Sequence, residues 1–299
     1  MVKCGPYLCH RTIGKGAISK VFLATQEDDA SICALKVMKK KKNCEKYTEQ
    51  FAQKEAKILK AVAHPNIINL LKFCEDETYD EGGIHHRKVA YMALEYARNG
   101  DLVNMLRRFG KFPETLARFY TIELIKAVEH VHFKGYSHLD LKPDNVLFDS
   151  EFNLKICDFS LSSERKMIKI KRGTKMYCPE EIFTSEYYHG PSTDIYAIGM
   201  IIFVMVTGHL PFREPELKDL RYRYLQNKSF EKFWEVTCKT KSSKYATRFY
   251  TEEFKNLFVW ILSPSAVERP SLAEIMEHDW LCQEAMSRED AIDYFKQFE

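Results

Sequence analysis

The sequence lacks a strong excess of either charge, a paired-cysteine motif and a long apolar run. Its 45 basic and 42 acidic residues leave a net charge of +3, so bulk charge favours neither nucleic acid nor membrane as a partner. Nine cysteines without a C-x-x-C spacing predict reduced thiols in an intracellular, cytoplasmic protein, and neither a disulfide framework nor a zinc site. The longest apolar run, residues 195–206, is shorter than a membrane span, and residues 1–6 lack the apolar region of a signal peptide.

Enough apolar material is present, by contrast, for a large hydrophobic core. Hydrophobic residues make up 45% of the chain and are spread along its whole length. At 299 residues, we expect either one two-lobed unit or two domains.

The most informative stretch lies near the middle of the chain and carries three polar side chains whose spacing indicates phosphoryl transfer. Asp140 and Asn145 are followed by two short apolar runs, which predict strands on either side of a turn, and then by Asp158. One carboxylate can orient an attacking hydroxyl and accept its proton, while an amide oxygen and a second carboxylate hold Mg²⁺ against a triphosphate. We therefore predict that these three side chains converge on one phosphate.

This stretch, His-Leu-Asp-x-x-x-x-Asn and then Asp-Phe-Ser, resembles the catalytic loop H-R-D-x-x-x-x-N and the magnesium motif D-F-G of eukaryotic protein kinases. Leu139 stands where the family has Arg, and Ser160 stands where it has Gly. The motif Asp-x-Lys-Pro, which contains Lys142, resembles that of the serine/threonine branch of the family. Residues 64–68 and 278–281 resemble the calcium/calmodulin-dependent group of that branch.

Further motifs in the family's order extend the resemblance over residues 7–281. It implies an α+β, two-lobed protein-kinase fold, with a small β-rich first lobe that carries one helix and a larger, mainly helical second lobe. The implied lobes are residues 1–97 and 98–281. Residues 282–299 are amphipathic and predict a helical tail.

A glycine pair lies between two strands predicted over residues 7–23. Gly14 and Gly16 let the backbone turn sharply and approach phosphate oxygens, although a Gly-x-Gly pair is about as often a plain turn. The segment resembles the kinase loop G-x-G-x-x-G-x-V, with Ser19 in place of the third glycine. The ATP-binding residues that this resemblance implies are Ile13, Gly14, Lys15, Gly16, Ala17, Ile18, Ser19, Lys20 and Val21.

Lys36 lies in an apolar strand pattern over residues 31–38, where an ammonium without a partner is costly. A lone lysine more commonly sits at an edge and reaches water. Glu55 lies on the apolar stripe of a helix predicted over residues 47–59 and is the natural partner. The strand resembles the family's V-A-I-K, which implies that Lys36, held by Glu55, positions the phosphates of ATP.

A hinge that binds adenine is implied at the end of the first lobe. Backbone groups of Glu95 and Ala97 would bind the base, and Leu94 would be the gatekeeper. Asp101 has two interpretations that the sequence leaves open, a contact to the ribose or the N-cap of a helix. The other implied ATP contacts are Ala34 and Leu147.

Residues 161–180 are rich in cations. They form either a solvated basic loop or a surface for an acidic or phosphorylated peptide. The end of this stretch resembles the family's G-T-x-x-Y-x-A-P-E but is one residue shorter before Pro179, so Glu180 would be the glutamate that pairs with Arg269. Thr174 is implied to bond the catalytic Asp140 and Lys142. The cations are Arg165, Lys166, Lys169, Lys171, Arg172 and Lys175.

Helices are predicted over residues 114–133 and 192–206. The second is apolar on all sides and therefore buried, with Ser192 or Thr193 as its cap. By resemblance, Asp194 bonds the backbone of the catalytic loop. Residues 75–88 are predicted to be a polar loop.

The resemblance implies transfer of the γ-phosphoryl of ATP, with Mg²⁺ as the metal, to Ser or Thr hydroxyls of protein substrates. Asp140 would orient the hydroxyl, and Lys142 would offset charge on the γ-phosphate. Asn145 and Asp158 would hold the metal. Leu139 cannot pair with a phosphate as the family's Arg does, so we expect activity without phosphorylation of the activation segment through that contact.

Two other functions remain open. A pseudokinase, which binds a nucleotide or a partner without turnover, is favoured by the departures at Ser19, Leu139 and Ser160. Against it, every charged residue that the chemistry needs is present. A small-molecule kinase of the same fold is disfavoured by residues 178–180 and by the helix near Ser192, which favour a protein substrate.

Overall fold

A computed structural model describes most of the chain and divides it into two units. The described residues are 2–38, 45–81, 84–238 and 250–298. Unit 1 is residues 1–99 with 148–162, and unit 2 is residues 100–147 with 163–299. The predicted lobes follow chain order, whereas unit 1 also takes in residues 148–162 from the middle of the chain.

Eleven strands and eleven helices lie in the described residues. The strands are β1 (Val2–Cys4), β2 (Tyr7–Lys15), β3 (Ser19–Gln26), β4 (Ile32–Met38), β5 (Leu70–Glu81), β6 (Ile84–Leu94), β7 (Gly100–Asp101), β8 (Val146–Phe148), β9 (Leu154–Ile156), β10 (Met167–Ile168) and β11 (Tyr188–His189). The helices are α1 (Glu45–Ala61), α2 (Leu102–Phe109), α3 (Glu114–Phe133), α4 (Glu181–Thr184), α5 (Gly190–Thr207), α6 (Leu220–Gln226), α7 (Phe230–Cys238), α8 (Glu252–Ile261), α9 (Leu272–Met276), α10 (Asp279–Cys282) and α11 (Arg288–Lys296).

Unit 1 is built on a closed barrel of six antiparallel strands in the order β1-β2-β3-β4-β6-β5. Side chains alternate between the two faces of a strand, and those that face the barrel interior are apolar. Tyr7 and Tyr91 meet there edge to face, with ring centroids 5.4 Å apart, beside the buried Leu35. Because β1 pairs with both β2 and β5, the barrel closes without a free edge.

The prediction of a polar loop over residues 75–88 is wrong. Strand β5 continues to Glu81 and β6 begins at Ile84, so this part of the chain is a hairpin. In β5, Tyr79 is buried, whereas the polar residues over 75–81 are partly or fully exposed to solvent, as expected for an antiparallel sheet with one solvated face. The glycines at residues 82–83 and the lysines at residues 39–42 lie outside the described residues.

Helix α5 is the core of unit 2, as its all-round apolar sequence predicts. All its residues from Ser192 to Thr207 are buried. A Cβ on Gly199 would lie 2.5 Å from the side chain of Ile261 in α8, so only a glycine allows this close approach. Phe203 packs against Phe258 with the two rings tilted and their centroids 4.6 Å apart.

The start of α5 differs from the prediction. The helix begins at Gly190, with Pro191 in its first turn, where proline is favoured. The N-cap is His189, whose Nδ1 accepts a hydrogen bond from the Ser192 backbone at 3.3 Å. The predicted cap at Ser192 or Thr193 is therefore wrong, because both residues are already helical.

The apolar run predicted to be too short for a bilayer lies within this 18-residue helix, which is long and apolar enough, by length and composition alone, to cross one. In the fold, 94% of the helix is buried. The core helix of a globular domain has the same composition, so α5 is weak evidence for a membrane span.

The tail folds onto unit 2, and its predicted helix is confirmed as α11. Ser287 begins the helix with a capping box to Asp290. Phe295 is fully buried, and its ring centroid lies 4.9 Å from that of Phe109 in α2 and 5.7 Å from that of Phe112. The tail is thus part of the hydrophobic core of this unit.

Candidate active site

The buried lysine of unit 1 has two acidic partners. Lys36 Nζ lies 2.6 and 2.8 Å from the carboxylate oxygens of Glu55 and 3.0 Å from Asp158 Oδ1. Lys36 and Glu55 are almost fully buried, so the predicted contact between them is confirmed as a buried ion pair. Burial alone would lower the pKa of Lys36, but the two carboxylates outweigh it and raise the pKa. Lys36 is therefore an ammonium held at a fixed position, which suits binding to phosphate.

The strand register explains how Lys36 reaches this position. In β4, Ala34 and Lys36 lie opposite Leu94 and Met92 of β6. Side chains two residues apart share one face of a strand, so Ala34, Lys36 and Leu94 belong to the same face of the sheet. These are three of the predicted ATP-binding residues of unit 1.

The predicted glycine loop is the tight connection between β2 and β3. Gly14 pairs with Val21 and Lys15 with Lys20 in the strand register, and the Gly16 amide donates to the Ser19 carbonyl at 3.0 Å. Ser19 is already a strand residue, so this position does not require glycine. The tip of the loop is Gly16, Ala17 and Ile18.

Glu95 in the predicted hinge is tied to other parts of unit 1. Its amide donates to the Asn69 carbonyl at 2.9 Å, and its carboxylate pairs with Lys155 at 2.7 Å. An adenine contact from Glu95 would therefore use its carbonyl. Sequence reasoning missed Lys155, which could have been suggested by its place in the short strand β9.

Asp158 has a left-handed backbone conformation, with φ 63°. Such a conformation is uncommon outside glycine and costs about 1–3 kcal/mol, and it is found at functional sites. The next residues, Phe159–Leu161, form a 3-10 turn in which Phe159 is fully buried. Ser160, where the family has Gly, is not among the residues with positive φ, so its side chain is compatible with this backbone.

The carboxylate of Asp140, in unit 2, accepts four hydrogen bonds. Oδ1 accepts from the Thr174 amide at 2.9 Å and from its hydroxyl at 2.7 Å. Oδ2 accepts from Lys142 Nζ at 2.9 Å and from Asn145 Nδ2 at 3.2 Å. Lys142 also donates to the Thr174 hydroxyl at 2.8 Å, so the predicted contacts of Thr174 with Asp140 and Lys142 are confirmed.

Asn145 is oriented by the same carboxylate and by the backbone. Its Nδ2 also donates to the Asp140 carbonyl at 2.8 Å. Because the amide nitrogen is used in this way, the amide oxygen is the atom suited to a cation. Magnesium prefers such oxygens, is held by few protein groups and keeps water and substrate phosphate as its other ligands. The amide oxygen of Asn145 is a ligand of this kind in unit 2, and the partly exposed carboxylate of Asp158 is one in unit 1.

The backbone of the catalytic loop is held in place by hydrogen bonds to a side chain of α5. The two carboxylate oxygens of Asp194 accept from the amides of His138 and Leu139, both at 2.8 Å, which confirms the predicted contact. His132 Nε2 lies 2.9 Å from the same carboxylate. Sequence reasoning missed His132, whose only signal was its place near the end of α3.

Leu139 occupies the place of the family's Arg and joins an apolar cluster. It has φ 67° and is 2% exposed. The other members of the cluster come from the activation segment and the elements after it, and we call the five residues the Leu139 cluster: Leu139, Ile168, Cys178, Ile182 and Tyr188.

The predicted ion pair between Glu180 and Arg269 is wrong. Arg269 pairs instead with Glu181, Nη1 to Oε1 at 2.5 Å and Nη2 to Oε2 at 3.0 Å. Glu180 is exposed and accepts from the Tyr222 hydroxyl at 3.3 Å. The segment therefore aligns with the family motif without a gap, with Pro179 in place of Ala and Glu180 in place of Pro, and it is not shortened. Two adjacent glutamates were the signal that could have indicated this.

Asp101 is the N-cap of α2, and its Oδ1 accepts from the Asn104 amide at 2.7 Å. Burial raises the pKa of its carboxyl, opposed by the hydrogen bond from Asn104. A contact with ribose stays a prediction. So does the meeting of Asp158, in unit 1, with Asp140 and Asn145, in unit 2.

Unit 1 thus holds a buried ammonium with two acids, and unit 2 holds a hydrogen-bonded carboxylate beside a lysine. The protein kinase domain family matches residues 7–281 of the chain. The chain belongs to the protein kinase domain family, and the predicted two-lobed kinase fold class is confirmed.

Some of the named relatives are serine/threonine kinases. The chain is 31% identical over 284 residues to CBL-interacting protein kinase 32 of Oryza sativa subsp. japonica, covering 93% of this chain and 59% of that protein. It is 31% identical over 286 residues to CBL-interacting serine/threonine-protein kinase 8 of Arabidopsis thaliana, covering 94% and 59%. CBL-interacting protein kinase 11 of Oryza sativa subsp. japonica is also 31% identical, over 92% of this chain and 51% of its own. The chain thus spans between one half and three fifths of the length of these relatives, and the calcium/calmodulin-dependent grouping is consistent with them.

Proposed function

We propose that this protein is a serine/threonine kinase that transfers the γ-phosphoryl of ATP to protein substrates in the cytoplasm. The observation that carries the proposal is the Asp140 carboxylate, which is held by donors from Thr174, Lys142 and Asn145. A carboxylate oriented from several sides costs little to reorganise during the reaction. A scaffold that only bound a nucleotide would have no use for it.

Asp140 orients the acceptor hydroxyl and takes its proton as the oxygen attacks phosphorus. Lys142, 2.9 Å from Asp140 Oδ2, is placed to offset the negative charge that builds up on the transferred group. Thr174 bonds both residues and so keeps the carboxylate of Asp140 and the ammonium of Lys142 at a fixed separation. Positioning, more than covalent chemistry, is what these three side chains supply.

Lys36 holds the α- and β-phosphates, and Glu55 keeps its ammonium in place. Bound ATP with Mg²⁺ supplies the phosphoryl group and neutralises charge between the phosphates. Asn145, through its amide oxygen, and Asp158, through its carboxylate, are the residues that would hold the metal. Adenine would contact the backbone of Glu95 and Ala97.

The pseudokinase alternative loses much of its sequence support. Ser19 and Ser160 replace glycines at positions where the backbone does not need them. The segment before the glutamate that pairs with Arg269 is not shortened, because that glutamate is Glu181. Leu139 remains as a departure, and it concerns regulation more than chemistry.

The test is transfer of label from radiolabelled ATP, with Mg²⁺, to a mixture of acidic and basic proteins, followed by identification of the labelled amino acid. We expect label on Ser or Thr, and its loss in Asp158→Ala. A protein that binds ATP but transfers no label would support the pseudokinase. Label on Tyr, or equal labelling by the variant, would also contradict the proposal.

A further inference from the structure

The positive charge of this chain is concentrated in one short segment. Residues 164–175 contain six basic residues and one acidic residue, which leaves 39 basic and 41 acidic residues elsewhere. The whole net charge of +3 therefore comes from this part of the activation segment. Four exposed cations are used below under the name basic face: Arg165, Lys166, Lys169 and Lys171.

The backbone under the basic face is held at several points. Ile168 is buried in the Leu139 cluster, and β10 pairs with β11. The Gly190 amide donates to the Lys166 carbonyl at 2.8 Å, and the Tyr188 hydroxyl donates to the Ile170 carbonyl at 3.0 Å. Cations displayed on a held backbone lose less entropy on binding than those of a free loop.

Large apolar side chains are exposed beside these cations. Ile170 is 66% exposed, Met167 is 52% exposed and Tyr187 is 50% exposed. Lys169 Nζ lies 5.5 Å from the centroid of the Tyr187 ring. Methionine and aromatic side chains are enriched at protein interfaces, and clustered exposed apolar groups mark interaction sites. This composition distinguishes the surface from an ordinary solvated loop.

Lys169 and Lys171 of the basic face have partners that a ligand can replace. Lys169 pairs with Glu186 at 3.0 Å, but both side chains are more than half exposed, and such pairs contribute little. Lys171 donates to the Phe183 carbonyl. Lys175 is left out of the basic face because it is paired with Glu216.

The basic face leads directly to the catalytic carboxylate within unit 2. Gly173 has φ +103°, and a Cβ there would lie 2.8 Å from the Leu139 carbonyl, so the chain is pressed against the catalytic loop at this point. The next residue, Thr174, bonds Asp140. Lys171 is three residues before Thr174 along the chain, so this end of the basic face is the part placed toward residues that flank a hydroxyl bound at Asp140.

We propose that the basic face binds acidic side chains that flank the acceptor Ser or Thr of the substrate. The proposal rests on the proposed function and specifies its substrate class. The recognised chemistry is an anion, either the carboxylate of Asp or Glu or the phosphate of a phosphorylated side chain.

The test uses three peptides that share one acceptor Ser and differ only in flanking residues, Glu, Gln or Lys. We expect kcat/KM for the Glu peptide to exceed that for the Gln peptide by about tenfold, mainly through KM, since each exposed ion pair contributes modestly. A peptide with phosphoserine in place of Glu separates phosphate from carboxylate as the preferred anion. Equal kcat/KM for the Glu and Gln peptides, or a preference for Lys, would overturn the proposal and leave kinase activity intact.

The matched variants are a triple change in the basic face, Lys166→Gln with Lys169→Gln and Lys171→Gln, and a control of equal charge. The control changes exposed lysines elsewhere in unit 2: Lys126→Gln, Lys134→Gln and Lys232→Gln. The preference for the Glu peptide should fall close to unity in the first variant and persist in the second. Equal loss in both would show a bulk charge effect and contradict the proposal.

Binding of fluorescent peptides, measured by anisotropy at several salt concentrations, gives a second readout that does not depend on turnover. Tighter, salt-sensitive binding of the Glu peptide supports the basic face even if no peptide is phosphorylated, an outcome that would contradict only the proposed function. Vesicles that contain phosphatidylserine are the third arm. Lysine-dependent binding to vesicles without any peptide preference would assign the surface to a membrane and overturn the proposal.

Discussion

At the scale of single residues, the ion pair of Arg269 shows that two adjacent glutamates, Glu180 and Glu181, contribute differently to stability. Glu181 meets the buried guanidinium with both oxygens, whereas the adjacent Glu180 is exposed. A buried charge that loses its partner remains desolvated, and this penalty is larger than that of losing a surface contact.

We expect Glu181→Ala to lower the free energy of unfolding of unit 2 by about 3–5 kcal/mol. The neighbouring change Glu180→Ala should stay within about 0.5 kcal/mol of the unchanged protein. Urea denaturation followed by tryptophan fluorescence measures both. A larger loss for Glu180→Ala than for Glu181→Ala would mean that Glu180 is the partner of Arg269, as the sequence first suggested.

Burial controls the reactivity of the cysteine in the same segment. Desolvation raises the pKa of the Cys178 thiol to about 12, with a further contribution from Asp140. A raised pKa means that almost no thiolate, the reactive form, exists near neutral pH. Cys282 is exposed by comparison.

We therefore predict that iodoacetamide at pH 8 modifies Cys282 in the folded protein and leaves Cys178 unmodified. Peptide mass spectrometry over a time course would measure the two sites in one sample. Denaturant should remove the difference, which serves as the control. Rapid labelling of Cys178 in the folded state would show that the Leu139 cluster is open.

At the scale of elements, the Leu139 cluster joins the catalytic loop to β10, α4 and β11. The family's Arg would need an anion at this place, usually a phosphate on the activation segment. Apolar contacts between the same elements need none. The hydrophobic contact can therefore hold the segment in the absence of modification.

We predict that phosphatase treatment leaves kcat unchanged when the enzyme is assayed with a peptide substrate. The Leu139→Arg variant should lose activity, because an unpaired cation in the cluster is costly. Loss of wild-type activity on dephosphorylation, with recovery on rephosphorylation, would contradict this account. Phosphorylation stoichiometry from intact mass is the necessary control.

At the scale of the whole molecule, the sequence predicted the elements that carry strong periodicity and the motifs that carry charge. Helix α3 has the predicted bounds, and the contacts of Lys36 with Glu55 and of Thr174 with Asp140 are those expected. The first contact could be predicted because a buried charge needs an opposite charge, and the second followed from the resemblance of residues 173–174 to the family motif.

The errors have a different physical origin. The hairpin of β5 and β6 was missed because a strand with one solvent-exposed face can be mostly polar. The start of α5 was misplaced because a histidine, and not the nearby hydroxyls, caps it. Which of two adjacent glutamates faces Arg269 depends on backbone direction, which local sequence does not determine.

The central claim is that Asp140 acts on the transferred group and not on nucleotide affinity. The most direct measurement is kcat for Asp140→Asn beside the dissociation constant for ATP with Mg²⁺, on the same purified samples. We predict a fall in kcat of about 10²–10⁴-fold with an unchanged dissociation constant. Turnover equal to that of the unchanged protein would contradict the account.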